Sequence, residues 1–88
     1  MDVVILQSAY KHGISEKSIR WCLSHCENSA MLDAPAPKYI FAGFDHKGNP
    51  LEIIAIENTE ENQMVIIHAM KLRKQHYSLL EGNEHELQ

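Results

Sequence analysis

The stretch from Leu51 to Asn58 constrains the fold more than any other. Ile53 and Ala55 alternate with Ile54 and Ile56, so a strand made of these residues is apolar on both faces. Such a strand has to be covered on both sides, which places it in the interior of a sheet. Tyr39–Asp45, rich in aromatic and branched residues, and Met64–Met70 are strand-like on either side of it. The linkers are a turn, His46-Lys47-Gly48-Asn49-Pro50, and the polar segment Thr59–Gln63. Connections this short favour antiparallel neighbours and therefore a meander. Val3–Leu6 is a shorter apolar run suited to a sheet edge.

Two segments carry a helical period instead. Ser15 has the character of an N-cap, with Ile14 and Ile19 at the spacing of a hydrophobic staple. From Glu16 to about Glu27, Ile19, Cys22, Leu23 and Cys26 fall on one stripe, while Trp21 lies nearly opposite, beside Lys17 and His25. From Lys71 to about Glu81, Leu72, His76, Leu79 and Leu80 share a face, and Gly82 ends the pattern. Ser8–His12 is one predicted helical turn closed by Gly13, and Asn28–Lys38, with Ala34-Pro35-Ala36-Pro37, is a predicted loop or irregular edge. The predicted class is α+β: a small antiparallel sheet meander packed against two longer helices. Eighty-eight residues suffice for one such domain, taken as 1–82, with a polar tail at 83–88.

The composition, 44% apolar, is that of a globular chain. No apolar run approaches the roughly 20 residues of a membrane span, and the first residues lack the basic region of a signal peptide. Two cysteines make no disulfide framework, so a reducing, cytoplasmic setting is expected. The formal net charge of −4 argues against general affinity for nucleic acid, but the charge is unevenly spread. Lys71, Arg73 and Lys74 lie together, with no acidic residue between Val65 and Leu80. A local basic site survives an acidic total in that arrangement, although a solvated helix face has the same signature.

Cutting RNA without a metal requires a base for the 2′-hydroxyl, an acid for the leaving oxygen and cations for the developing charge. His68 at the end of a strand, followed by Lys71, Arg73, His76 and Tyr77, supplies those types compactly. Arg73 and Tyr77, four apart, share one edge of the predicted helix. Glu52 and Glu57 are candidate carboxylate bases on opposite sides of their strand, so at most one joins such a site. Each residue also has a plainer explanation. His68 shares a predicted strand face with Met64 and Ile66, as a half-buried histidine would. His76 lies on the apolar stripe, and Arg73 is expected to be an edge charge that the fold does not need. His12-Gly13 suits a helix C-terminus. Cys22 and Cys26, one helical turn apart, suggest zinc, but no second ligand pair has suitable spacing, and burial as small apolar residues explains them. No cofactor and no metal is expected.

Three segments together resemble the BrnT-like toxins of bacterial type II toxin–antitoxin systems. Lys11-His12-Gly13-Ile14-Ser15 is similar to the Lys-His-Gly-Val-Ser segment that starts the main helix of that family. Phe41-Ala42-Gly43-Phe44-Asp45-His46-Lys47-Gly48, continuing through Leu51-Glu52-Ile53-Ile54, is similar to its glycine-turn hairpin. His68-Ala69-Met70-Lys71-Leu72-Arg73 falls where the family leaves its last strand with a Ser-Ala-Arg-Lys-like segment. Here Met70 stands at the family's arginine, Lys71 alone matches and Arg73 is offset. The resemblance covers roughly residues 8–80. It implies a RelE-like fold and a metal-independent endoribonuclease that inhibits translation, with His68, Lys71, Arg73 and Tyr77 as catalytic candidates. It also implies an RNA substrate, a cognate DNA-binding antitoxin, and assembly as a homodimer or as a heterotetramer with that antitoxin. Trp21, opposite the core stripe, is the expected anchor for the antitoxin. The alternative is a degenerate toxin kept as a non-catalytic interaction module, which the acidic balance and Met70 favour.

Overall fold

The apolar run lies where its patterning demands, inside a sheet. The computed structural model describes residues 1–26, 28–32 and 37–81. The chain runs through β1 (Asp2–Ile5), a 3₁₀ turn (Gln7–Tyr10), α1 (Glu16–His25), β2 (Asn28–Leu32), β3 (Lys38–Phe44), β4 (Pro50–Asn58), β5 (Gln63–Lys71), a second 3₁₀ turn (Lys74–His76) and α2 (Ser78–Glu81). The sheet order is β1-β5-β4-β3-β2, with β4 in the middle. No helix among the described residues is long and apolar enough to cross a membrane.

The predicted architecture needs correction in two respects. The meander is real for β2 to β5, all antiparallel, but β1 adds to the edge of β5 in parallel, so the sheet is mixed. Among the described residues there is also no second long helix, and they form mostly sheet around a ten-residue α1 and a four-residue α2. Leu72, assigned from its period to a helix, instead extends the ladder of β5: its N–H donates to the Pro50 carbonyl at 3.0 Å, and the side chain is buried. Arg73 is extended as well, at φ −88° and ψ 152°. Tertiary contacts override the local helical preference there. Asn28–Leu32, read as irregular, is strand β2, paired from Asn28 opposite Ala42 to Leu32 opposite Lys38. The Ala34-Pro35-Ala36 part of the predicted loop, and the tail at 83–88, lie outside the described residues.

One face of the sheet carries the core. Leu51, Ile53 and Ala55 of β4 and Ile66 and Ala69 of β5 pack with Ala9, Ile19 and Cys22. The helix over them begins as expected, since the Ser15 hydroxyl accepts a hydrogen bond from the Ser18 N–H at 3.1 Å. Its far end lies so close to β3 that a Cβ on Gly43 would sit 2.9 Å from Cys26 Cβ and 3.1 Å from Cys22 Sγ. Glycine is required there by proximity, not by backbone conformation.

The other face is set by register. Ile40, Ile54 and His68 form one cross-strand row, and Ala42, Glu52 and Met70 form the next. His68 reaches this face because the β4–β5 register shifts between Ile54 and Ala55: Ala55 pairs with Ile66 and Ile54 with His68, which leaves Ile67 as an extra residue. A one-residue bulge transfers every later side chain to the opposite face. Met64 and Ile66 therefore pack with the core while His68 does not, contrary to the shared face expected from simple alternation.

Gly43→Ala should lower the stability of the domain by about 1–3 kcal/mol, since the added methyl has no room without moving α1. Denaturant unfolding measures this. A midpoint equal to that of the wild type would show that α1 does not press on β3 in this way.

Candidate functional site

At the centre of the second face lies a carboxylate with no solvent exposure. Glu52 is flanked by Ala42 and Met70 in its row, and its side chain is fully enclosed. An ionised carboxylate in that position has to be matched by donors on both oxygens. Arg73 supplies most of them. Its Nε donates to Oε1 at 3.1 Å and Oε2 at 3.0 Å, its Nη2 to Oε2 at 2.7 Å, and its backbone N–H to Oε1 at 3.0 Å. His76 Nδ1 donates to Oε1 at 3.1 Å, and His68 Nε2 to Oε2 at 3.2 Å. Burial by itself pushes the Glu52 carboxyl up, but the hydrogen bonds from Arg73 and His76 and the guanidinium charge outweigh it and hold the group at about 2.

The acceptor-only carboxylate fixes both imidazoles. His68 has to carry its hydrogen on Nε2 and His76 on Nδ1, so in the neutral rings the lone pairs fall on His68 Nδ1 and His76 Nε2. Burial lowers the His68 pKa from its ordinary value, and Arg73 and His12 press it the same way against the pull of Glu52. His68 is therefore a neutral imidazole at neutral pH. His12, exposed, meets it edge to face with ring centroids 5.5 Å apart. Arg73 turns Nε and Nη2 to Glu52 but remains 43% exposed, and Nη1 has no hydrogen-bond partner among the described residues.

Of the residues singled out from sequence, His68 and Arg73 come together on Glu52. Lys71 does not join them: it pairs with Leu51 on the core face and lines a cleft there with Ile14 and Asp45. Tyr77 is 47% exposed, and its expected helical alignment with Arg73 does not arise, because Lys74–His76 is a 3₁₀ turn. Glu52 is the carboxylate that takes part, as an anchor and not as a base, while Glu57 lies on the other face beside Tyr39 and Met64. His76, expected on an apolar stripe, is a ligand of Glu52. Arg73 is no dispensable edge charge, since it is the main partner of a buried anion. His12 was missed as a member of the cluster, and nothing in local spacing links it to a residue 56 positions away.

Cys22 is buried, with its thiol pushed up to about 12 by burial, so it is an inert packing group. Among the described residues no set of three or more His, Cys, Asp or Glu side chains is placed to hold a metal ion. Trp21 stays off the core at 43% exposure, stacked on His25 at 4.1 Å and edge-on to His46 at 6.2 Å. Trp21 and His25 line a cleft of about 240 Å³ with Phe44 and Leu80.

Two measurements test this account. Arg73→Ala should lower the denaturation midpoint, and adding Glu52→Leu should restore part of the loss by removing the stranded carboxylate. A double variant no more stable than Arg73→Ala would contradict the assigned partnership. The pH dependence follows from the lowered pKa values. Glu52, at about 2 in the folded chain against 4.5 ordinarily, contributes stability that is complete above pH 4.5 and lost as pH falls towards 2. His68, lowered from 6.5, adds a decline that begins as pH falls below that value, where the unfolded chain binds a proton the folded chain resists. Unfolding titrations of the wild type and of Glu52→Gln should therefore differ in slope between pH 4.5 and 2, the variant being flatter.

Compared with family models, with curated proteins and with solved structures, the chain finds no match in any of the three.

Proposed function

We propose that this domain is a BrnT-like toxin of a bacterial type II toxin–antitoxin pair, a metal-independent endoribonuclease that acts on RNA in the cytoplasm and so inhibits translation. The observation that carries this reading is the pairing of a neutral His68, with its Nδ1 free, and a guanidinium with unused N–H groups, both anchored on one buried carboxylate. Neutral imidazole is suited to taking the proton of a 2′-hydroxyl at neutral pH. The free edge of Arg73 is suited to the phosphate oxygens on which charge accumulates as the 2′-oxygen attacks phosphorus. Because Glu52 fixes both groups before substrate arrives, little reorganisation accompanies the reaction. Lys71, on the far face, has no part in this step, and Tyr77 is left as an exposed side chain beyond the second 3₁₀ turn.

The exposed Trp21 and the cleft beside it favour a second component, a protein partner seated on that corner. In the toxin reading that partner is the cognate DNA-binding antitoxin. The same corner would serve a non-catalytic interaction module, a reading also consistent with Glu52 and Arg73 satisfying each other.

Arg73→Lys is the variant of choice, because it keeps a cation near Glu52 while removing the planar fork. The wild type should cleave RNA, free or ribosome-engaged, and Arg73→Lys should do so roughly 10²-fold more slowly with an unchanged circular dichroism spectrum. No cleavage and no growth arrest on expression of the wild type would reject the enzyme in favour of the interaction module. Trp21→Ala should weaken the complex with the protein encoded alongside by about 2 kcal/mol without unfolding the domain. Equal affinity in a calorimetric titration would remove Trp21 as the anchor.

A further inference from the structure

The proposed reaction needs a proton donor for the leaving 5′-oxygen, and neither His68 nor Arg73 fills that role. His68 already serves as the base, and a guanidinium does not give up a proton in this range. We infer that His12 is the general acid of the site, an assignment that rests on the ribonuclease reading above.

Three observations carry it. The first is placement. His12 follows the 3₁₀ turn Gln7–Tyr10, which is fixed to the sheet at two points: Ala9 is buried in the core, and the Ser8 hydroxyl donates to the Ile67 carbonyl at 3.0 Å. Ile67 is the bulged residue of β5, so the element that carries His12 is tied to the irregularity that turns His68 onto the Glu52 face. Gly13, at φ +79°, closes the turn with its N–H on the Tyr10 carbonyl at 3.0 Å and leads the chain into the Ser15 cap. A left-handed backbone there costs glycine little.

The second is geometry. The two rings are 5.5 Å apart between centroids and inclined at 69°, and no hydrogen bond joins them. Both nitrogens of His12 and Nδ1 of His68 are therefore without protein partners among the described residues. The third is the contrast in environment. His68 is half-buried and tethered to Glu52, whereas His12 is exposed and touches no carboxylate among the described residues. Burial, with Arg73 and His12 close by, disfavours the charged form of His68. The half-buried, tethered ring takes the base role, which gives it to His68 and the acid role to the exposed His12.

The step balances without a metal. His68 Nδ1 takes the 2′-hydroxyl proton, and the 2′-oxygen forms a bond to phosphorus. The bond from phosphorus to the 5′-oxygen breaks with its electron pair on oxygen, and the imidazolium form of His12 gives that oxygen its proton. The products are a 2′,3′-cyclic phosphate and a free 5′-hydroxyl, with one proton moved from His12 to His68.

A change of leaving group tests the assignment. The cleaved linkage is mapped with the wild type, and the same RNA is then made with sulfur in place of its 5′-bridging oxygen, because a thiolate departs without a proton. On natural RNA His12→Ala should lose roughly 10²- to 10⁴-fold in rate, and on the sulfur-linked RNA it should come within about tenfold of the wild type. His68→Gln, which keeps an N–H for Glu52, should stay slow on both, and circular dichroism should show all three proteins folded. His12→Ala as fast as the wild type on natural RNA, or equally impaired on both substrates, would overturn the acid role while leaving the ribonuclease reading intact. A folded wild type inert on both RNAs would overturn that reading and this assignment with it.

Discussion

Burying the Glu52 carboxylate in the middle of a sheet face commits much of the rest of the chain. An ion in that position is costly unless each oxygen is met by donors, and β4 itself has none to offer. The donors come from β5 and the segment after it, so the path of residues 72–76 is set by the need to bring Arg73 and His76 back over β4. That need explains why a segment with a helical pattern is extended at Leu72 and Arg73 and resumes α-helix only at Ser78. The carboxylate also fixes the tautomers of two imidazoles and the orientation of a guanidinium. An ion pair of this kind contributes more to arrangement than to net stability, because its own desolvation consumes most of what it returns.

The bulge at Ile67 is the second half of the same device. Without the extra residue, His68 would lie with Met64 and Ile66 against the core, and the Glu52 face would present a different side chain. The carbonyl of Ile67 also receives the Ser8 hydroxyl, and through that bond the segment bearing His12 is held beside β5. One irregularity thus turns His68 onto the Glu52 face and ties the segment bearing His12 beside it. The core face, by contrast, centres on a cluster of apolar side chains that packs α1 against the sheet.

Those two features mark the boundary of what the sequence makes legible. β4 could be placed in the sheet interior because both of its faces are apolar, and α1 could be started at Ser15 because its cap is a local hydrogen bond. Trp21 could be put outside the core because helical period alone decides it. β2 was not visible, since Asn28–Leu32 is a short edge with alternate residues exposed and its pairing to β3 is the main sign of it. The parallel pairing of β1 with β5 joins segments some sixty residues apart, beyond the reach of any turn signal. Glu52 and His68 were recognised as chemically apt types. Their meeting depends on a bulge that alternation cannot reveal, and the enclosure of Glu52 depends on Arg73 arriving from beyond the strand.

Register also bears on where the proposed function places its cation. The proposed toxin reading looks for an arginine at position 70, and Met70 is the residue directly opposite Glu52 on β5. A guanidinium carried at position 70 would therefore emerge on the same face as the carboxylate, one strand away. In this chain the guanidinium comes from three residues further on, because the extended backbone at Leu72 and Arg73 returns the longer reach of Arg73 to Glu52. Arg73 is held at its tip by both carboxylate oxygens and offers only its outer edge. Arg73 is therefore first the counter-ion of Glu52 and only then a ligand for phosphate, and a conservative lysine separates the two roles where alanine would remove both.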